Sequence, residues 1–241
     1  MFPIGTDKPL IGRPVVTTAL VVLCFAVFIW QLSLGQAGGR RAELGLGLIP
    51  AVFWGRVLLP EQFYFVPPGL TLFTAQFLHS SSWHLLTNTL FLWIFGKNVE
   101  DVMGAGRFLI FFMVCGLIAN FLHALFYPGL MLPMVGASGA ISGILGAYIL
   151  LFPYTRILTV VPLGPLLTPF RVPIVWFLGV WIGLQIVKSF LTPIEVGGEA
   201  IAAHIGGLVA GALLIRFFTD HPLVLLRSWS KAKPQTPDKT E

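Results

Sequence analysis

Residues 136–152 read Gly136-Ala137-Ser138-Gly139-Ala140-Ile141-Ser142-Gly143-Ile144-Leu145-Gly146-Ala147-Tyr148-Ile149-Leu150-Leu151-Phe152, without a charge, and Pro153 ends the run. Gly139, Gly143 and Ala147 recur at every fourth position. That spacing lines one helix face with small side chains and lets a second helix approach closely inside lipid. The run predicts a membrane helix over 137–152. At ~1.5 Å per residue this helix is short for a ~30 Å hydrocarbon core. Its approach, Tyr127 to Gly136, is apolar yet broken by Pro128, Gly129 and Pro133. Irregular backbone persists at membrane depth only when buried in protein or lining a watery cavity. The start of this helix is therefore expected below the membrane surface, beside such a cavity.

The sequence on either side extends the pattern. Apolar segments over 14–34, 82–96, 105–126, 137–152, 172–191 and 200–219 predict six spans, and 35–81 forms a partly ordered interfacial loop. Hydrophobic residues make up 56% of the 241-residue chain and charged residues 10%, with mean hydropathy +0.87. A soluble domain carries roughly 25% charged residues, so most of this surface must meet membrane lipid. The net charge of +5 is scattered over the loops, which argues against nucleic acid as a partner. Cys24 and Cys115 lie inside apolar runs and read as small hydrophobes rather than a disulfide. No small-residue cleavage site follows the first apolar run, so it reads as a retained span.

With the N-terminus inside, Lys8, Arg13, Lys97, Arg107, Arg156, Arg171, Arg227, Lys231, Lys233 and Lys239 all fall on the cytoplasmic side. Only Arg40, Arg41 and Arg56 fall in outer loops, and the last outer loop carries Glu195 and Glu199. Basic residues collect inside, so both termini are expected in the cytoplasm. The chain then divides into a cytoplasmic N-terminus (1–13), a six-helix domain (14–219) and a disordered cytoplasmic tail (220–241).

Under this topology the second, fourth and sixth spans all begin on the outer side. His84 and Asn88 start the second, Ser138 the fourth and His204 the sixth. Polar groups are costly within a membrane and are functional candidates by default. Ser138 has a packing reading, as part of the small-residue face, and His204 has one as an interhelical hydrogen-bonding residue. The functional reading starts from Gly207 and Gly211, which give the sixth span its own close-packing face. Two glycine-faced helices would bring His204 against Ser138, where an imidazole can take the proton from a hydroxyl that is otherwise a poor nucleophile. Ser142 also precedes a glycine, one turn deeper than Ser138. Ser138 is favoured because a helix N-terminus offers free N–H groups and a dipole suited to developing negative charge. His84 and Asn88, at i and i+4, share a helix face and can donate to an oxyanion, with the Ser138 backbone N–H as a third donor. His123 with Asn120 reads as a packing pair, and His79 as interfacial.

These residues resemble the rhomboid family of intramembrane serine proteases. The resemblance covers roughly 10–220 and rests on Gly136-Ala137-Ser138-Gly139, on Ala203-His204-Ile205-Gly206-Gly207 with Gly211, and on the His79-to-Asn88 stretch. Gly96 and Glu100 match the family's Gly-x-x-x-Glu step. The resemblance implies an all-α bundle of six transmembrane helices around a cavity open to the outer face of the plasma membrane. It implies Ser138 as nucleophile, His204 as general base, and His84, Asn88 and the Ser138 amide around the oxyanion, without metal or organic cofactor. The implied substrates are single-span membrane proteins, admitted through a gate near the fifth span and the last outer loop. In two respects the chain departs from some members. Ser142 stands where they carry a tyrosine that stacks on the base, and the first outer loop offers Trp54-Gly55-Arg56 in place of a Trp-Arg pair. The alternatives are a catalytically silent binder of membrane clients and a proton-path transporter. The latter would need a carboxylate within the spans, whereas Asp101 and Asp220 fall at inner helix ends.

Overall fold

The computed structural model describes residues 2–163, 166–192 and 200–220. The tail over 221–241 and the last outer loop with Glu195 and Glu199 lie outside the described residues. Each apolar run folds as a helix: α1 (Val15–Ser33), α5 (Ser82–Phe91), α7 (Ala105–Phe126), α8 (Ser138–Leu151), α9 (Ile174–Leu191) and α10 (Ile201–Phe218). The interfacial loop holds α2 (Gly35–Leu46), α3 (Pro50–Phe53) and α4 (Thr71–Thr74). From α5 the chain continues through a π-helical turn, Leu92–Gly96, into α6 (Lys97–Met103), so this helix outruns its expected end at 96. It stops at Gly104, whose φ of +78° suits glycine. Among the described residues three helices, Val15–Ser33, Ala105–Phe126 and Ile201–Phe218, are long and apolar enough to cross a membrane, while Ser138–Leu151 and Ile174–Lys188 are apolar but shorter.

Phe95, Phe108, Phe111, Phe112, Ile144, Leu145 and Tyr148 fill the centre of the bundle. The outward faces are apolar as well, with Ile29, Phe126, Trp176, Phe190 and Leu213 exposed. Apolar packing inside and an apolar coat outside mark a membrane protein, since water would not tolerate so much exposed hydrocarbon.

The all-α expectation needs correction. A three-stranded antiparallel sheet joins β1 (Phe2–Thr6), β2 (Arg156–Leu163) and β3 (Leu166–Pro173) in the order β1-β2-β3. Residues 2–6 of the N-terminal segment thus form an edge strand, with Thr6 opposite Ile157 and Phe2 opposite Val160. β2 is rich in β-branched residues and alternates its burial, with Ile157 and Thr159 fully covered and Arg156 exposed.

The same end of the bundle anchors α1. Pro14 precedes this helix and supplies no side-chain cap. Glu100, in the middle of α6, caps it from a distance by accepting N–H bonds from Val16 and Thr17 at 2.8 and 2.7 Å. Asp101 accepts from Ile11 and Gly12 at 3.2 and 2.6 Å. Gly96 lies one turn before Glu100, where a side chain would press on Phe108 and Thr17. The Gly96–Glu100 step therefore brings α1 close and then caps it.

Glu100→Ala would strand the buried Thr17 N–H, at a cost of about 1–3 kcal/mol, and the part-buried Val16 N–H at a lower cost. Asp101→Ala, whose bonds are exposed, is expected to cost much less. Denaturant unfolding in detergent compares them, and equal tolerance of the two changes would contradict the capping role.

Candidate active site

Ser138 and His204 meet because α8 and α10 touch backbone to backbone. A methyl group added at Gly207 would overlap the carbonyl oxygen of Gly139. One at Gly211 would overlap that of Gly143, and one at Gly146 that of Leu208. The other side of α8 is as tight against α7, where a side chain at Gly143 would come within 2.5 Å of Cys115 Cβ. The small-residue stripes are thus the contact surface.

At the head of this seam Ser138 Oγ lies 2.8 Å from His204 Nε2. Both residues are half-buried, so the pair is reachable from outside the protein. As the first residue of α8, Ser138 has a backbone N–H with no intrahelical acceptor. Ser142 is fully buried, and its hydroxyl donates to the carbonyl of Ser138 at 2.8 Å.

The turn into α8 is set by Gly136, at φ +118°. A side chain there would also strike the His84 ring at 2.7 Å, so glycine is required for both conformation and space. The irregular segment before it is held by protein groups. Leu48 and Met134 exchange backbone bonds at 3.0 and 2.8 Å, and Gly136 N–H donates to Ala75 O at 2.8 Å. The imidazole of His84 thus lies over the backbone just ahead of Ser138, with its Nδ1 3.1 Å from Ser80 Oγ. Asn88 is placed less directly. Its Nδ2 donates to His84 O at 2.8 Å, one turn back, and its buried Oδ1 meets no partner among the described residues.

His79 lies inside the protein. It is buried, and Gln31 of α1 clamps its backbone by accepting from the N–H at 3.0 Å and donating to the C=O at 3.3 Å. Burial, with His84 beside it, pushes its imidazole down to about 3, so it stays neutral at ordinary pH. His123 is buried with its ring 5.2 Å from that of Tyr127, and Asn120 donates to Leu72 O at 2.7 Å. They are packing groups of α7, though not a mutual pair through these bonds. Trp54 donates to Ala124 O at 2.7 Å, pinning the interfacial loop to the end of α7.

Two residues at the site were missed. The Nδ1 of His204 is hydrogen-bonded to Gln185 of α9, and the His204 ring lies 5.8 Å from that of Trp181, tilted by 39°. The signal was present: a tryptophan and an amide four residues apart in an otherwise apolar run, so on one helix face.

The Rhomboid domain family matches residues 68–221, more than half of the chain, and the chain belongs to the rhomboid family. It is 32% identical over 186 residues to Rhomboid protein 1, mitochondrial, of Saccharomyces cerevisiae, covering 73% of this chain and 50% of that protein. To Rhomboid protease GluP of Bacillus subtilis it is 33% identical over 205 residues, covering 83% of this chain and 34% of that protein. To Presenilin-associated rhomboid-like protein, mitochondrial, of Homo sapiens it is 26% identical over 178 residues, covering 68% and 43%. The chain therefore spans a third to a half of the length of these relatives.

Overpacking a fitted contact costs about 1–3 kcal/mol, and more where backbone is struck. Gly211→Ala is accordingly expected to lower the unfolding temperature of the purified protein. Gly183→Ala on α9, where a side chain meets open space, is expected to leave it unchanged or raise it. Equal effects at the two positions would contradict the seam.

Proposed function

We propose that this chain is an intramembrane serine endopeptidase that cleaves single-span membrane proteins within or near their transmembrane segments. The observation supporting this reading is the 2.8 Å contact between Ser138 Oγ and His204 Nε2, at helix starts that an extended substrate can reach. In this reading Ser138 Oγ attacks the scissile carbonyl carbon while His204 Nε2 takes its proton. The carbonyl oxygen becomes an oxyanion facing the free N–H of Ser138, the edge of His84 and the amide of Asn88, whose second N–H remains to donate. His204 then returns the proton to the leaving amine, which departs and leaves an acyl-enzyme. Water, deprotonated by the same imidazole, hydrolyses the ester and restores Ser138.

The same reading places six spanning helices in the cell membrane, with both termini and the three-stranded sheet on the cytoplasmic side and the site open outward. A cysteine introduced at 195 should be labelled by an impermeant reagent on intact cells, and one at 235 should not. The opposite pattern would move the site to the other side.

A fluorophosphonate probe tests the nucleophile. Wild type and Ser142→Ala are expected to be labelled, and Ser138→Ala and His204→Ala to stay dark. His84→Ala and Asn88→Ala are expected to slow kcat more than they change KM. The loss of one oxyanion donor is expected to cost at most about 10²–10³-fold, and less here because the backbone donor remains. Labelling that persists in folded Ser138→Ala would reject the assignment. A folded wild type that neither labels nor cuts would favour the silent client-binder.

A further inference from the structure

His204 has two ring nitrogens, and only one neutral tautomer makes it a base toward Ser138. Nε2, 2.8 Å from Ser138 Oγ, can accept that proton only when the ring's own proton sits on Nδ1. The partner of Nδ1 is Oε1 of Gln185. A carbonyl oxygen only accepts, so this bond selects the Nδ1–H tautomer. Gln185 is only 5% exposed, in a helix of apolar neighbours. Leaving its amide oxygen unpaired there would cost about 1–3 kcal/mol, so the bond to His204 also satisfies Gln185. Trp181, one turn earlier on the same face of α9, sets its ring against the imidazole. One helix thus holds both the plane of the base and the position of its proton. Ser142 takes no part, since its hydroxyl is turned onto its own helix.

We propose that Gln185 is the positioning residue for His204, a neutral third member that makes the site a Ser–His–Gln triad. This rests on the protease reading above and deepens it. A carboxylate in this place would hold the tautomer and also stabilise the imidazolium that forms during attack. An amide does only the first, leaving the cation to be stabilised by its surroundings. Among the described residues, few charged groups lie on the elements packed against His204. His123 of α7, a titratable neighbour of His204, is buried. Lys188, the next charged residue along α9, is exposed. α8 has no charged side chain, and Arg216 lies at the far end of α10.

The test uses full-length protein in detergent, a labelled single-span substrate and NMR of 15N-histidine ring nitrogens. Gln185→Leu is expected to lower kcat by about tenfold or more, within the roughly 10²–10⁴ that a positioned base contributes, while KM stays near wild type. Gln185→Glu keeps the acceptor, so it is expected to retain more activity than Leu. It should also move the acid limb of the pH profile upward by about one unit or more, as a nearby carboxylate favours the imidazolium. A packing role predicts the reverse order, because a buried apolar Leu would be tolerated better than a charge. Independently of turnover, the His204 Nδ1–H resonance, identified by its loss in His204→Ala, should be present in wild type and in Ser138→Ala. It should be absent or exchange-broadened in Gln185→Leu. A wild type showing that resonance but cutting nothing would sink the protease reading while upholding the hydrogen bond. An unchanged resonance, or kcat and pH profile unaltered in Gln185→Leu, would overturn the proposal.

Discussion

Along the contact between α8 and α10 nothing larger than a hydrogen atom separates the two backbones. Gly207 and Gly211 face the carbonyls of Gly139 and Gly143, and Gly146 faces that of Leu208. In lipid there is no water to expel between helices, so association relies on close van der Waals packing and interhelical hydrogen bonds. The seam supplies the first, and the Ser138–His204 pair at its head supplies the second. Widening it by a methyl group would separate the serine from the imidazole by more than a hydrogen bond can span. Packing and chemistry are thus one constraint.

The two ends of the bundle divide the remaining tasks. At the site end lie the starts of α5, α8 and α10, whose positive dipole ends suit a developing negative charge, and there the Ser138 N–H has no intrahelical acceptor. At the other end Glu100 caps α1, Asp101 ties down the segment before it, and β1 adds the N-terminus to the β2–β3 hairpin. α8 is gripped on both sides by α7 and α10, whereas α9 touches its neighbours sparsely. Ser138 therefore sits on the most tightly held helix, while Gln185, the partner of His204, sits on a loosely held one.

Much of this was legible from residue spacing. Glycines at every fourth position in two runs mark helices that can meet backbone to backbone, and a serine and a histidine at the same ends follow at once, although Gly139 and Gly143 also press α8 against Ala119 and Cys115 of α7. Some helix limits were readable, since Pro153 closes the 137–152 run, whereas the second helix runs past its expected end at 96 to Met103. The sheet was not read. Between apolar spans the Ile157–Val161 stretch looks like one more piece of loop, and its partner, β1, is distant in sequence. Gln185 escaped because a lone amide in an apolar run has no pattern of its own, and its meaning depends on which neighbour it meets. The burial of His79 was not legible either, since it depends on the clamp from Gln31 of a distant helix.

The central claim is that the Ser138–His204 pair cuts membrane-embedded polypeptide. The most direct measurement reconstitutes the protein in liposomes with an isotopically labelled single-span substrate and maps the products by mass spectrometry. The account predicts two discrete fragments whose new termini lie within or beside the transmembrane segment, with none formed by Ser138→Ala. An intact substrate after prolonged incubation with folded wild type, or the same fragments from Ser138→Ala, would contradict it.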